Sequence, residues 1–323
     1  MQRNKKRVGL VIVKMVTATT KPKVIVICGP TGIGKTAVGI QLAENFGGEI
    51  ISADSMQIYR YMDIGTAKPT AAEQNRIVHH LIDIVDPDKE FDAVRFAKMA
   101  RQKVIQLHHR GVMPLVVGGT GLYIKALLQG LFQSNPADPK IRERLMKEAT
   151  ENGSSRLHDR LKQVDPAAAE RLHPNDAYRI VRALETIEST GRSISGHHQE
   201  HGFADEPFHA LKICLQMERQ KLYDRIDRRG DLMIETGFVD EVQRLLDMGY
   251  SADLKSMQSI GYRHMVDVIE GRLSRDEGLR TLKRDTRRYA KRQFTWFGAD
   301  REIHWYEPGQ LNDIIRLTEG FWE

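Results

Sequence analysis

Residues 29–36, GPTGIGKT, complete the pattern G-x-x-x-x-G-K-[S/T] directly after five apolar residues, Val24 to Cys28. A turn of this kind, built from Gly29, Pro30, Thr31, Gly32, Ile33, Gly34, Lys35 and Thr36, wraps a di- or triphosphate. Its backbone N–H groups point inward, beside the positive N-terminal end of the following helix. In that pattern Lys35 reaches the terminal phosphates and the Thr36 hydroxyl binds Mg²⁺. The loop alone fits a nucleotide-binding or ATP-binding protein and does not choose among kinase, GTPase, ATPase and transferase. No N-K-x-D guanine signature accompanies it. The strand at 115–118 ends in glycines, not in the acid an ATPase uses for its metal.

A second chemical candidate is Asp54, which ends the run GGEIISAD and opens DSMQIYRYMDIGTAKP (54–69). A carboxylate at the C-terminal edge of a parallel strand, beside a phosphate loop, lies where ligands bind in open α/β sheets. Three roles stand open for it: general base, metal-shell ligand, or a cap on the next turn. Arg225 and Arg228 in LYDRIDRRG lie on a predicted helix after the returning strand, where arginines ordinarily form a solvated or ion-paired face. The densest basic block is 280–292, RTLKRDTRRYAKR, with seven Lys/Arg against one Asp. Arg280, Arg284, Arg287, Arg288 and Lys291 recur at helical spacing, with Leu279, Leu282, Tyr289 and Phe294 facing away. FTWF follows, offering aromatics that stack on bases or fill a core. The histidines show no H-E-x-x-H or Cys/His ligand spacing, and Cys28 and Cys214 read as buried, reduced thiols.

The elements that must carry these residues alternate. Strands are predicted at 24–28, 47–54, 79–87 and 112–121, the last running into glycines. A helix after the loop buries Val38, Ile40, Leu42 and Ala43, and another over 91–110 buries Val94, Ala97, Ala100, Val104 and Leu107. This alternation predicts an α/β fold, a P-loop parallel sheet flanked by helices. From 136 the character changes to helices opened by Asp-Pro or Pro-Asn-Asp, and the β pattern resumes at 209–217. The expected organisation is a basic N-terminal extension (1–22) and a P-loop core (23–135 and 206–323) whose C-terminal part is helical. An all-helical insertion domain occupies 136–205.

Composition narrows the class. At 41% apolar and 28% charged residues the chain is an ordinary globular one. No apolar run approaches the ~20 residues of a membrane span. The patch Val8 to Val13 is too short for a signal-peptide core of about 7–15 residues, so a cytoplasmic protein is expected. The net charge of +6 is concentrated: residues 1–23 carry seven Lys/Arg and no acid, leaving 42 basic against 43 acidic residues. Local clusters, not bulk charge, therefore speak for partners.

Taken together, GPTGIGKT, SADSMQIYRYMDIGTAKP, HHLIDI, PLVVGGTGLYIKALLQG, HPNDAYRIVRALE, SIGYRH and KRQFTWF are similar to the tRNA dimethylallyltransferases (isopentenylpyrophosphate transferases). The resemblance runs in order from about Lys23 to Trp305. It implies that the bound diphosphate is that of dimethylallyl diphosphate, and that the acceptor is the exocyclic amine of the adenosine 3′ of the tRNA anticodon. It implies catalytic parts for Asp54 as the base, for Thr31 and Lys35, and for an arginine gripping the diphosphate, matched to Arg228. It implies tRNA contacts from Asp54, Ser55, Met56, Gln57, Thr120, Arg142, Arg179, Arg182, Ser259, Gly261, Tyr262, Arg263, Lys291, Arg292, Gln293 and Trp296. It further implies Mg²⁺ as cofactor, the anticodon stem-loop as partner, and a monomer of bacterial type without an obligate protein partner. The N-terminal extension departs from the family pattern and carries no assigned function. The competing readings are a small-molecule or nucleoside kinase using ATP, and a non-catalytic RNA-binding switch.

Overall fold

The computed structural model describes residues 21–130, 139–193, 195–196 and 206–323. Most of the N-terminal extension and the boundaries expected at 135/136 and 205/206 lie outside these residues. At the centre is a six-stranded, wholly parallel sheet in the order β3-β2-β4-β1-β5-β6. Its strands are β1 (Lys23–Cys28), β2 (Glu49–Ser52), β3 (His79–His80), β4 (Pro114–Val117), β5 (His209–Leu215) and β6 (His304–Tyr306). Four consecutive residues of β1, Val24 to Ile27, are fully buried, as the middle strand of a sheet covered on both faces requires. Of the run predicted as a strand at 79–87, only His79 and His80 join the sheet.

Alternation along β1 sorts the two faces. Ile25 and Ile27 pack against α1 (Lys35–Phe46), α9 (Arg219–Glu235) and α13 (Leu311–Trp322). Val26 and Cys28 face α3 (Ala93–His109) and α4 (Gly121–Gln129). That side is extended by α10 (Phe238–Asp247), α11 (Tyr262–Ile269) and α12 (Arg275–Gly298). The short α2 (Ala71–Arg76) lies on the excursion between β2 and β3. Val38, Ile40, Leu42 and Ala43 of α1 are buried; on α3, Val94 is only half-buried while Phe96 is fully so. Cys28 and Cys214 are register partners on adjacent strands, both buried and free.

Helices α5 (Pro139–Asn152), α6 (Ser154–Val164), α7 (Pro166–Arg171) and α8 (Ala177–Thr190) pack on one another around a core of their own. Leu145, Leu157, Leu161, Ile180 and Leu184 form its centre. Their starts follow from local chemistry: Asp165 accepts the Ala168 N–H at 3.1 Å with Pro166 as the first helical residue, and Asp176 accepts the Arg179 N–H at 3.2 Å. Among the described residues no helix is long and apolar enough to cross a membrane.

Candidate active site and nucleic-acid interface

The loop between β1 and α1 is held open by glycines in left-handed backbone, Gly29 (φ 139°), Gly32 (φ 82°) and Gly34 (φ 107°). Its own Lys35 folds back on it, and three side chains from elsewhere in the chain meet it. Lys35 Nζ donates to Pro30 O at 2.9 Å, and Arg225 Nε to Gly32 O at 3.0 Å. Arg229 donates to Thr31 Oγ at 2.7 Å, and the Thr31 N–H donates to Gln293 Oε1 at 2.8 Å. Burial lowers the Lys35 pKa to about 8, with the Arg229 charge acting in the same direction and Asp54 opposing. Burial likewise lowers Arg229, again opposed by Asp54. Three cations thus share this corner with a single carboxylate, a surplus that an anion would neutralise.

Asp54 leaves β2 at its C-terminal end. Its Oδ1 accepts the N–H groups of Met56 at 2.8 Å and Gln57 at 3.3 Å. One oxygen therefore caps the turn, while Oδ2 has no hydrogen bond among the described residues. The turn is fixed at several points. The Ser55 N–H donates to Thr120 Oγ at 3.1 Å, and Ser52 Oγ to Gln57 Oε1 at 2.9 Å. Lys68, with only 4% of its side chain exposed, joins Tyr59 O, Asp63 and Asp83. The carboxylate of Glu241, 3% exposed, accepts the N–H groups of Asp63, Ile64 and Gly65 and the Tyr262 hydroxyl at 2.6 to 3.1 Å. The non-glycine residues in left-handed backbone among those described, Tyr61, Ala67, Leu81 and Asp83, all fall on this excursion, where surrounding contacts over-determine a costly path.

Gln293 of α12 completes the wall. Its Nε2 donates to Gly119 O at 2.8 Å, and it is 5% exposed. A Cβ at Gly119 would lie 2.4 Å from that Nε2 and 3.4 Å from Lys35 Nζ, so a side chain there would displace the Gln293 amide. Tyr289, one turn earlier, is pushed up to about 12 by burial and by Asp54 and stays a neutral phenol.

Several sequence-predicted residues stand elsewhere than expected. Arg228 donates back to Asp224 O of its own helix at 3.4 Å and is exposed, whereas Arg229 enters the loop. The overlooked signal was periodicity: Arg229 is one turn beyond Arg225, on the side of buried Leu222 and Ile226. Gln293 and Tyr262 (1% exposed) are interior, and Ser259 has a buried hydroxyl. The cationic stripe on α12 is mostly neutralised. Arg280 pairs with Glu277, Lys283 with Asp231, Arg284 and Arg288 with Asp285, and Arg287 with Asp227. Of the block's cations, Lys291 and Arg292 have no ion pair among the described residues, and Arg292 lies over the Tyr289 ring. Arg263 also pairs with Asp285, and Gly261 caps α11. Phe297 is core, while Trp296 is 44% exposed beside Gly121. On the four-helix unit, Arg142 covers the Tyr178 ring, Arg179 pairs with Asp176, and Arg182 with Glu185. Glu241 was missed altogether; the backbone N–H groups it accepts lie 176 to 178 residues away.

Thr36, the second residue of α1, makes no hydrogen bond through its hydroxyl among the described residues. No group of three His, Cys, Asp or Glu side chains able to hold a metal occurs among them either. One hydroxyl with no three-ligand set among the described residues fits a magnesium ion held largely by substrate oxygens and water, and does not fit a resident metal centre.

Fold and site define an α/β protein whose glycine-rich loop gathers a partly free carboxylate and three cations beside a basic, aromatic helix. A family model described as IPP transferase matches residues 57–300. A tRNA dimethylallyltransferase of Desulfosudis oleivorans is 59% identical over 94% of this chain and 96% of its own. A tRNA dimethylallyltransferase 2 of Syntrophus aciditrophicus is 52% identical over 95% and 99%. Among solved structures, the tRNA isopentenylpyrophosphate transferase of Bacillus halodurans is 41% identical, with a TM-score of 0.70 over 94% of this chain and 97% of that one. A eukaryotic dimethylallyltransferase acting on tRNA is 32% identical, with a TM-score of 0.72 over 85% and 69%. The chain belongs to the IPP transferase family.

Proposed function

We propose that the protein transfers the dimethylallyl group of dimethylallyl diphosphate to N6 of the adenosine 3′ of the tRNA anticodon, releasing diphosphate. The observation that carries this reading is the meeting of Asp54 with Lys35, Arg225 and Arg229 around one loop. The N6 amine attacks the allylic C1 while the C1–O bond breaks, its electron pair leaving with the diphosphate. The proton released from N6 goes to Asp54, whose Oδ2 is free while Oδ1 is tied to the turn. An adenine amine is a weak nucleophile because its lone pair is delocalised, so a positioned base contributes about 10²–10⁴-fold. Loop N–H groups, Lys35, Arg225 and Arg229 stabilise the charge growing on the departing diphosphate. Thr36 would hold Mg²⁺, which supplies further charge neutralisation when bound.

The acceptor base leaves its stack to reach Asp54, at a cost of a few kcal/mol that is smallest in a single-stranded loop. Lys291, Arg292 and Trp296 on α12 and Arg179 on the four-helix unit, all exposed, with half-buried Arg142 beside Arg179's helix, are the candidates to hold the anticodon stem-loop. Gln293 and Tyr262 act from inside, and the arginine on the diphosphate is Arg229. A tRNA substrate and two reduced, buried cysteines suit a cytoplasmic monomer. The deciding test is incubation with unmodified tRNA and either dimethylallyl diphosphate or ATP, followed by nucleoside analysis. Prenylated adenosine is expected with the first donor; ATP consumption without prenylation would end this reading and favour the kinase.

A further inference from the structure

Gln293 occupies the junction between the two halves of the site. Its Oε1 takes the Thr31 N–H from the diphosphate loop, and its Nε2 gives to Gly119 O, each at 2.8 Å. The next residue, Thr120, accepts the Ser55 N–H and so joins Gly119 to the turn that carries Asp54. Thr31 is held from both sides, its N–H by Gln293 and its hydroxyl by Arg229 at 2.7 Å. Gln293 shares α12 with Lys291 and Arg292, the block's cations without an ion pair among the described residues, and with exposed Trp296, all within three residues.

We propose that Gln293 is a positioning residue that couples tRNA bound on α12 to the grip of the loop on the diphosphate. This inference rests on the transfer reading for the identity of its two ligands. The amide is the one side chain of this size that accepts from Thr31 and donates to Gly119 together. A carboxylate cannot donate, and a leucine does neither. Tight seating of α12 by RNA therefore seats Thr31 and Gly119 in the same movement. By linkage, the diphosphate must tighten tRNA binding by the same factor.

The test is titration of wild type, Gln293→Glu and Gln293→Leu with pyrophosphate and with dimethylallyl diphosphate, each with and without tRNA. Thermal melting of all three proteins accompanies it. In wild type, tRNA is expected to tighten both anions by at least about 5-fold, the lower end of common coupling factors. In Gln293→Leu the tightening disappears and anion affinity in the presence of tRNA falls about 10-fold, as the removal of one or two hydrogen bonds implies. The tRNA affinity measured without anion stays within about twofold. Gln293→Glu, keeping the bond from Thr31, falls between. Three results overturn the proposal: weaker tRNA binding with anion affinity intact, which marks a direct RNA contact; coupling retained in Gln293→Leu; or a lower melting temperature as the sole change. If pyrophosphate couples to tRNA in wild type while no prenyl group is transferred, the transfer reading falls and the coupling stands.

Discussion

Helices α9 and α12 are both rich in arginine, yet they use it differently. On α9 the pair Arg225 and Arg229, one turn apart beside buried Leu222 and Ile226, reaches Gly32 O and Thr31 Oγ of the phosphate loop. On α12 most cations are matched by acids: Asp285 alone receives Arg284 and Arg288, with Arg263 arriving from α11. Asp227 and Asp231, which take Arg287 and Lys283, stand on α9 itself. The same helix thus sends arginines to the loop from one side and acids to its basic neighbour from another. A count of charges along a sequence measures neither use. The direction in which each charge faces decides which arginines await an anion and which lock two helices together.

The sharpest way to break this comparison is to truncate neighbours on α9. Arg229→Ala should raise KM for dimethylallyl diphosphate about 10–100-fold, the scale of a charge-assisted hydrogen bond to an anion. Arg228→Ala should change it less than about twofold in the same steady-state assay. A larger effect at Arg228 would return the diphosphate contact to the residue first expected.

The next effect is one of pH. Because the free-enzyme Lys35 pKa lies at about 8, its ammonium is present below that value and is lost as pH rises through it. Diphosphate binding to the free protein should weaken above pH 8, by up to about tenfold per pH unit if the bound form requires the cation. A binding curve flat to pH 9.5 would show that Lys35 does not carry the anion.

The smallest effect compares cations within α12. Lys291→Gln or Arg292→Gln should weaken tRNA binding a few-fold and reduce the salt slope by about 1 for each phosphate no longer neutralised. Arg280→Gln, whose partner is Glu277, should leave the slope unchanged. Equal slopes for all three would mean that the block meets RNA as a whole.

What the sequence made legible was local. The phosphate loop, β1 and α1 follow from adjacent residues, as do the starts of α7 and α8 at Asp165 and Asp176. Asp54 could be placed because a strand ended at it. The three-residue β6 went unseen, since a short edge strand carries too little pattern to rise above its neighbours. Arg229 was within reach of helical periodicity and was missed by one position. Gln293 and Glu241 were beyond reach, because the backbone groups they hold lie 174 to 262 residues away in the chain and no spacing records them. The pairing of α12 with acids on α9 was hidden for the same reason.

The central claim, that a free oxygen of Asp54 takes the proton from the acceptor amine while the loop holds the leaving diphosphate, meets its most direct test in Asp54→Asn under single-turnover conditions. The asparagine keeps the carbonyl oxygen that caps Met56 and Gln57 and loses the base. Transfer is predicted to fall about 10²–10⁴-fold, with tRNA affinity within about twofold of wild type and pyrophosphate bound no more weakly. Single-turnover transfer within about threefold of wild type would contradict the account and leave Asp54 as the cap of its turn.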